Sequence, residues 1–142
     1  MDYEYGAKKV MAVLASTLEI GVAMNVLGHM AVAMGAYADK SLMGEPLLPD
    51  ASGTVHSGIA KYPVIITKVK PARLRQFIEE ARQEAELFLV DFPQEMLDTR
   101  HDNDLIASMK AKAEPDMAYL GAMAYGNNST LQALAGKFML WK

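Results

Sequence analysis

The chain has no cysteine, which excludes a disulfide framework and any thiolate metal site. Phosphate-binding loops are missing as well. No Walker pattern occurs, no G-x-G-x-x-G follows the first strand-like run, and the turn ASTLEIG lacks the glycines that let backbone approach a pyrophosphate. Nucleotide binding in the standard mode and a bound cofactor are therefore not expected. The G-x-S-x-G elbow of a hydrolase is absent too. His29, His56 and His101 fall on three separate segments, none with a second histidine at helical spacing, so no metal site is expected. Charge of one sign is scarce: 14 Lys and Arg stand against 17 Asp and Glu, a net −3. A nucleic-acid binder shows a basic balance or stripe. The one loose basic cluster, Lys61, Lys68, Lys70, Arg73 and Arg75, reads as solvation of a strand end and a helix start. The opening MDYEYGAKKV carries acidic residues and no apolar run, so it is no secretory signal and the expected address is cytoplasmic.

What is present suffices for one core. A chain of 142 residues, 51% hydrophobic, is long enough to bury about two-thirds of its unfolded surface without staples. No repeat, low-complexity tract or internal boundary appears, so residues 1–142 read as a single domain.

KVMAVLAS, residues 9–16, is an apolar run without alternation, the pattern of a strand covered on both faces. Ser16 and Thr17 offer N-caps for a helix over 19–38, EIGVAMNVLGHMAVAMGAYA, apolar nearly all round. A membrane span is the rival reading. Asn25, His29 and three glycines favour a core helix instead, and no membrane partner is expected. Gly21, Gly28 and Gly35 share one helix face. Each costs about 1 kcal/mol against alanine, which implies a close approach there, by the sheet or by a ligand. Residues 39–62 break the periodicity, with a short strand near Leu47 and Leu48. PVIITKV (63–69) reads as a strand. Pro71 opens an amphipathic helix through PARLRQFIEEARQEAELF, with Leu74, Phe77, Ile78, Ala81 and Ala85 inward. A strand ending at Phe92, two short helices before Ala113 (the second from Asp102), a strand over 117–125, a short helix to Ala135 and a strand or tail KFMLW complete the order. Alternation of this kind specifies an α/β fold with a parallel or mixed sheet covered by helices on both faces.

Few positions offer chemistry. Asn25, an amide in an apolar helix, must find partners or face a polar cleft, and it lies near the end of the first strand, where open α/β sheets place ligands. His29, one turn on, shares its face or serves as a core histidine. In DASGTVHSG, Asp50, His56 and Ser57 sit close together. Neighbouring His and Ser side chains rarely meet, and Asp50, Ser52 and Gly53 read as a turn, yet loops also carry function. The eleven methionines mostly fall in apolar runs and read as core filling.

The segments KVMAVLAS, VAMNVLGHMAVAMG, PDASGTVHSGI, LVDFPQEM and LAGKFMLW together resemble a family of bacterial domains of unknown function, number two thousand in that series, grouped by fold with the type II peptidyl-tRNA hydrolases. The resemblance implies a three-layer α/β/α sandwich around a small mixed sheet and a homodimer. The hydrolases' helix entry is similar to G-K-x-A-A-Q-x-x-H-A. Here Gly21 stands where the lysine would be, Asn25 replaces the glutamine, and His29 is displaced by one position. The later A-G-x-T signature has no counterpart. Losing the lysine removes a charge for RNA phosphate and a catalytic group, so the resemblance implies the fold and not the activity. The expected function is a peptidyl-tRNA-hydrolase-like domain that binds a small molecule or nucleotide-like ligand in a cleft lined by Asn25, His29, Asp50, His56 and Ser57. Peptidyl-tRNA hydrolysis on tRNA and a non-catalytic homodimeric interaction module are the alternatives.

Overall fold

The computed structural model describes residues 3–142. In chain order the elements are β1 (Lys8–Ala15), α1 (Ile20–Tyr37), β2 (Leu47–Pro49), β3 (Val55–Ser57), β4 (Val64–Val69), α2 (Pro71–Arg82) and β5 (Phe88–Pro93). After these come α3 (Gln94–Asp98), α4 (Asp102–Lys110), β6 (Tyr119–Asn127), α5 (Asn128–Ala135) and β7 (Met139–Leu140). Five strands form one mixed sheet in the order β5-β6-β1-β4-β7. β1, β4 and β5 run one way, β6 and β7 the other.

Strand periodicity divides the core. Val10, Ala12 and Leu14 face α1, whereas Met11, Val13 and Ala15 face α2 and α5. All of Val10–Ala15 is buried, as the unbroken apolar run required. The result is a mixed α/β domain with helices on both faces of the sheet. Thr67 is buried within β4, and its hydroxyl donates to the Ala12 carbonyl at 2.8 Å, so its polar atom is satisfied.

Several expectations are corrected. Neither Ser16 nor Thr17 caps α1. The N-cap is Glu19, with no side-chain bond, because Ser16 and Thr17 lie in a turn that the Leu18 amide closes on the Ala15 carbonyl, before the helix begins. Nor is α1 buried all round. Only Ala23, Val26, Met30 and Met34 are buried, while Ile20, Met24, Val32 and Tyr37 stand exposed. The helix is long and apolar enough to cross a membrane, but it lies as an outer layer on β6, β5 and β1. Gly21, Gly28 and Gly35 face open space, so no packing among the described residues explains them. The close approach is made from the sheet side: a Cβ on Gly121 of β6 would meet Leu14, Val26 and Met30 side chains at 3.0–3.1 Å.

α2 stops at Arg82 and leaves Ala85 exposed in a turn. Helical pattern continued past that point, but Phe88 pairs with Tyr125 in the sheet, and the ladder takes precedence over local propensity. The irregular stretch 39–62 contains a β2–β3 hairpin; its second strand, Val55–Ser57, is too polar and short to read as one from sequence.

Candidate functional site

β5 is an edge strand, and its carboxyl end leads into a helical excursion, α3 and α4, that folds beside α1. Pro93 ends the regular pairing at a register shift. The Gln94 amide then bonds the Ala118 carbonyl at 2.8 Å. Asp102 and Asp104 occupy the first turn of α4 and Lys110 the last, the signs that suit the helix dipole. The excursion is closed by a 2.6 Å ion pair from Lys112 Nζ to Glu95 Oε2. Glu95 is almost fully buried, and its second oxygen, Oε1, has no hydrogen-bond partner among the described residues. The Lys112 bond holds the Glu95 carboxyl below the usual glutamate range.

Between α1 and this excursion lies a recess of about 350 Å3. Met30, Val90, Phe92 and Met96 supply an apolar floor, and His29, Thr99, Arg100, His101 and Asp102 polar groups around it. The His29 ring stands 6.2 Å from the Phe92 ring, tilted by 59°. Arg100 is exposed and makes no ion pair among the described residues. The recess thus sets one free guanidinium, two imidazoles, a hydroxyl and the Asp102 carboxylate around an apolar floor. It opens near the carboxyl end of a strand, where open α/β sheets bind ligands.

The structure divides the sequence-predicted site residues. Asn25 and His29 line a shallow depression on the outer face of α1 with Met24, Gly28 and Val32, and of the two His29 alone also reaches the recess beside α3 and α4. Asn25 is exposed, so water satisfies the amide and the argument from a buried polar group falls away. Asp50, His56 and Ser57 lie on the exposed β2–β3 hairpin. None of them lines either hollow, so the single cleft expected from the sequence is not formed.

In that hairpin Asp50 organises the turn. Its Oδ1 accepts from the Ser52 and Thr54 amides and the Ser52 hydroxyl, and Oδ2 contacts His56 Nε2 at 2.9 Å. The Ser52 hydroxyl and then His56 hold the Asp50 carboxyl down at about 2. Gly53, at φ 88°, takes the left-handed position of the turn. Ser57 donates to the Gly58 carbonyl, so no nucleophile–base pair forms with His56.

A second polar cluster escaped the sequence reading. Arg82 joins Asp91, Glu114 and the Tyr119 hydroxyl at 2.9–3.1 Å, and Tyr119 donates to Glu114 at 2.7 Å. Arg75 also holds Glu114. Burial raises the Tyr119 phenol, and the bond from Tyr119 lowers Glu114. Every charge is matched within the chain, so the cluster acts as a strut between α2, β5 and the entry to β6. Three of the five basic residues singled out from the sequence are similarly engaged. Arg73 pairs with Glu80 and lies over Phe138, Arg75 pairs with Glu79 and Glu114, and Lys61 sits over Tyr3 and Tyr62.

Arg100, His101 and Phe92 were missed as site residues because only the fold brings them to His29. The available signal was positional: LVDFPQEM is a strand end running into an irregular excursion. His29 and His101 do share the recess, although they lie on separate elements. Among the described residues no three His, Asp or Glu groups converge in a metal-binding arrangement.

Residues 8–142 match the family described as Protein of unknown function (DUF2000), and the chain belongs to that family. A solved structure of a protein of unknown function from Agrobacterium tumefaciens strain C58 has a similar fold, with a TM-score of 0.83 at 15% identity. The similarity covers 96% of this chain and 98% of that one. No curated protein matches the sequence.

Proposed function

We propose that this DUF2000 member binds a small nucleotide-like anion in the recess beside α1. The convergence of His29, Arg100 and His101 around the Phe92 floor carries the reading. A planar ring packs on the floor formed by Val90, Phe92 and Met96, and an anionic group meets the Arg100 guanidinium, whose fixed fork suits phosphate or carboxylate. This is recognition by side chains and needs no glycine-rich loop. Adenosine monophosphate is the probe. Isothermal titration is expected to give saturable binding, and Arg100→Ala to weaken it about tenfold or more, the loss of one charge-assisted hydrogen bond. Absence of binding by wild-type protein at millimolar nucleotide, with no NMR shift at His29 or Phe92, would sink the proposal.

A second reading, a homodimer formed through α1, is favoured by the symmetry of its outer face. Gly28 stands at the middle of the helix, with Gly21 and Gly35 seven residues to either side, all facing open space. An antiparallel pair centred on Gly28 sets Met24 of one copy, 64% exposed, opposite Val32 of the other, 74% exposed. The helix carries no Asp, Glu, Lys or Arg to repel its mate, and small residues allow two backbones to approach. Light scattering is expected to give the mass of two chains, and Val32→Glu that of one. A wild-type monomer at high micromolar concentration would dismiss this interface.

A further inference from the structure

We infer that the channel between α1 and β4 binds a single anionic acyl chain, with Lys68 at its head end. The site is distinct from the recess at His29 and does not depend on it. It exists because α1 lies toward β6 and β5 and leaves the β4 side of the same sheet face uncovered. Val64 and Ile66 of β4 are accordingly exposed or half-buried, although their neighbours in β1 are fully covered.

Two recesses follow one another along the channel. One of about 200 Å3 lies between Leu14, Ile20, Leu27, Ile66 and Trp141. The next, of about 310 Å3, lies between Val10, Ala31, Ile59 and Val64. The strand register keeps them in line, since Val10 sits beside Val64 and Ala12 beside Ile66. Along α1 the wall runs from Ile20 to Gly35, about 22 Å of helix at 1.5 Å per residue.

Apart from the indole N–H of Trp141, neither recess is lined by a polar side-chain group. An extended peptide would bury backbone N–H and C=O groups here with no other side-chain partners on the walls, at substantial cost. A methylene chain has no such groups and gains by leaving water for apolar walls. The occupant therefore lacks polar atoms along its length. Its polar end is set by Lys68, whose ammonium lies 5.2 Å from the Trp141 ring centroid. No Asp or Glu side chain among the described residues pairs with Lys68, and its one hydrogen bond, to the terminal Lys142 oxygen, is long at 3.5 Å. The head group is thus an anion such as a carboxylate.

Trp141 is the only tryptophan in the chain and lines the channel, so its emission reports occupancy directly. Titration of full-length protein with dodecanoate, below its micellar concentration, is expected to shift that emission to the blue and saturate. Leu27→Asp, checked for folding by circular dichroism, is expected to abolish the response. Lys68→Gln is expected to weaken dodecanoate about tenfold, the loss of a charge-assisted contact, and to leave dodecanol binding unchanged. No response of the wild type to either amphiphile would overturn the site. Equal weakening of both by Lys68→Gln would overturn the head assignment. A blue shift that follows protein concentration without amphiphile would give the channel to a second copy of the chain instead.

Discussion

Phe77→Ala is expected to lower the unfolding free energy by about 3–5 kcal/mol, the usual cost of emptying a buried aromatic site. Phe77 is wholly buried in the core layer between α2, α5 and the sheet, with Leu74, Ile78 and Leu131. Its ring meets Phe138 edge-on at 5.9 Å, an arrangement that adds to simple burial. Domains of this kind are stable by only about 5–15 kcal/mol, so the loss is a large share of the whole. Urea unfolding followed by far-ultraviolet circular dichroism measures it. The His29 recess and the α1–β4 channel lie on the opposite face of the sheet. Where the variant remains folded, its affinities for adenosine monophosphate and dodecanoate should therefore equal those of the wild type. A loss below about 1 kcal/mol would mean that α2 and α5 repack around the cavity, contrary to the close packing expected of a core.

Lys112→Met should be most damaging at neutral pH and should move acid unfolding upward. The Glu95 carboxyl is held below its ordinary value by Lys112. A lowered folded-state value means that ionised Glu95 binds fewer protons in the folded chain than in the unfolded one. The stabilisation is complete above the unfolded value, about 4.3, and is lost as pH falls through the lower folded value. Without Lys112 the carboxylate keeps its burial but loses its ion pair, leaving an uncompensated buried charge. Its pKa should rise, so acid unfolding begins at a higher pH. Glu95→Gln with Lys112→Met removes the charge and should restore part of the stability of the single variant. Thermal unfolding between pH 3 and 7 tests both statements, and parallel curves for wild type and Lys112→Met would refute them. The pair also closes the excursion that walls the His29 recess, so Lys112→Met should weaken ligand binding there without touching the ligand.

Much of the scaffold was legible because local pattern and tertiary role agreed. The apolar run at Val10–Ala15 and the Pro71 start of α2 each have one physical reading, and the structure has the strand and the helix start there. Legibility failed where tertiary context decides. Composition makes α1 apolar all round, but hydropathy does not say which neighbours exist, and only one stripe of the helix has any. Its glycines implied a close approach, while the contact that sets the helix–sheet distance is made by Gly121 on the other partner. For the site, His29 was visible from the sequence, but Arg100 and His101 come to it through the route taken after Pro93. Asp50 and His56 were correctly seen as neighbours, and their chemistry is consumed in shaping a turn.

The pairing of β1 with β6 also has a consequence for how the chain acquires its structure. Lys8, the first residue of β1, pairs with Asn127, and the central strand cannot be flanked on that side until almost all of the polypeptide is available. Closure of so long a loop precedes the gain from the contacts it makes, which slows folding. During synthesis α1 must therefore wait, with part of its apolar stripe uncovered, for the β6 surface encoded near the other end of the chain. Fragments ending before β6 should collect as aggregation-prone intermediates rather than as smaller folded units.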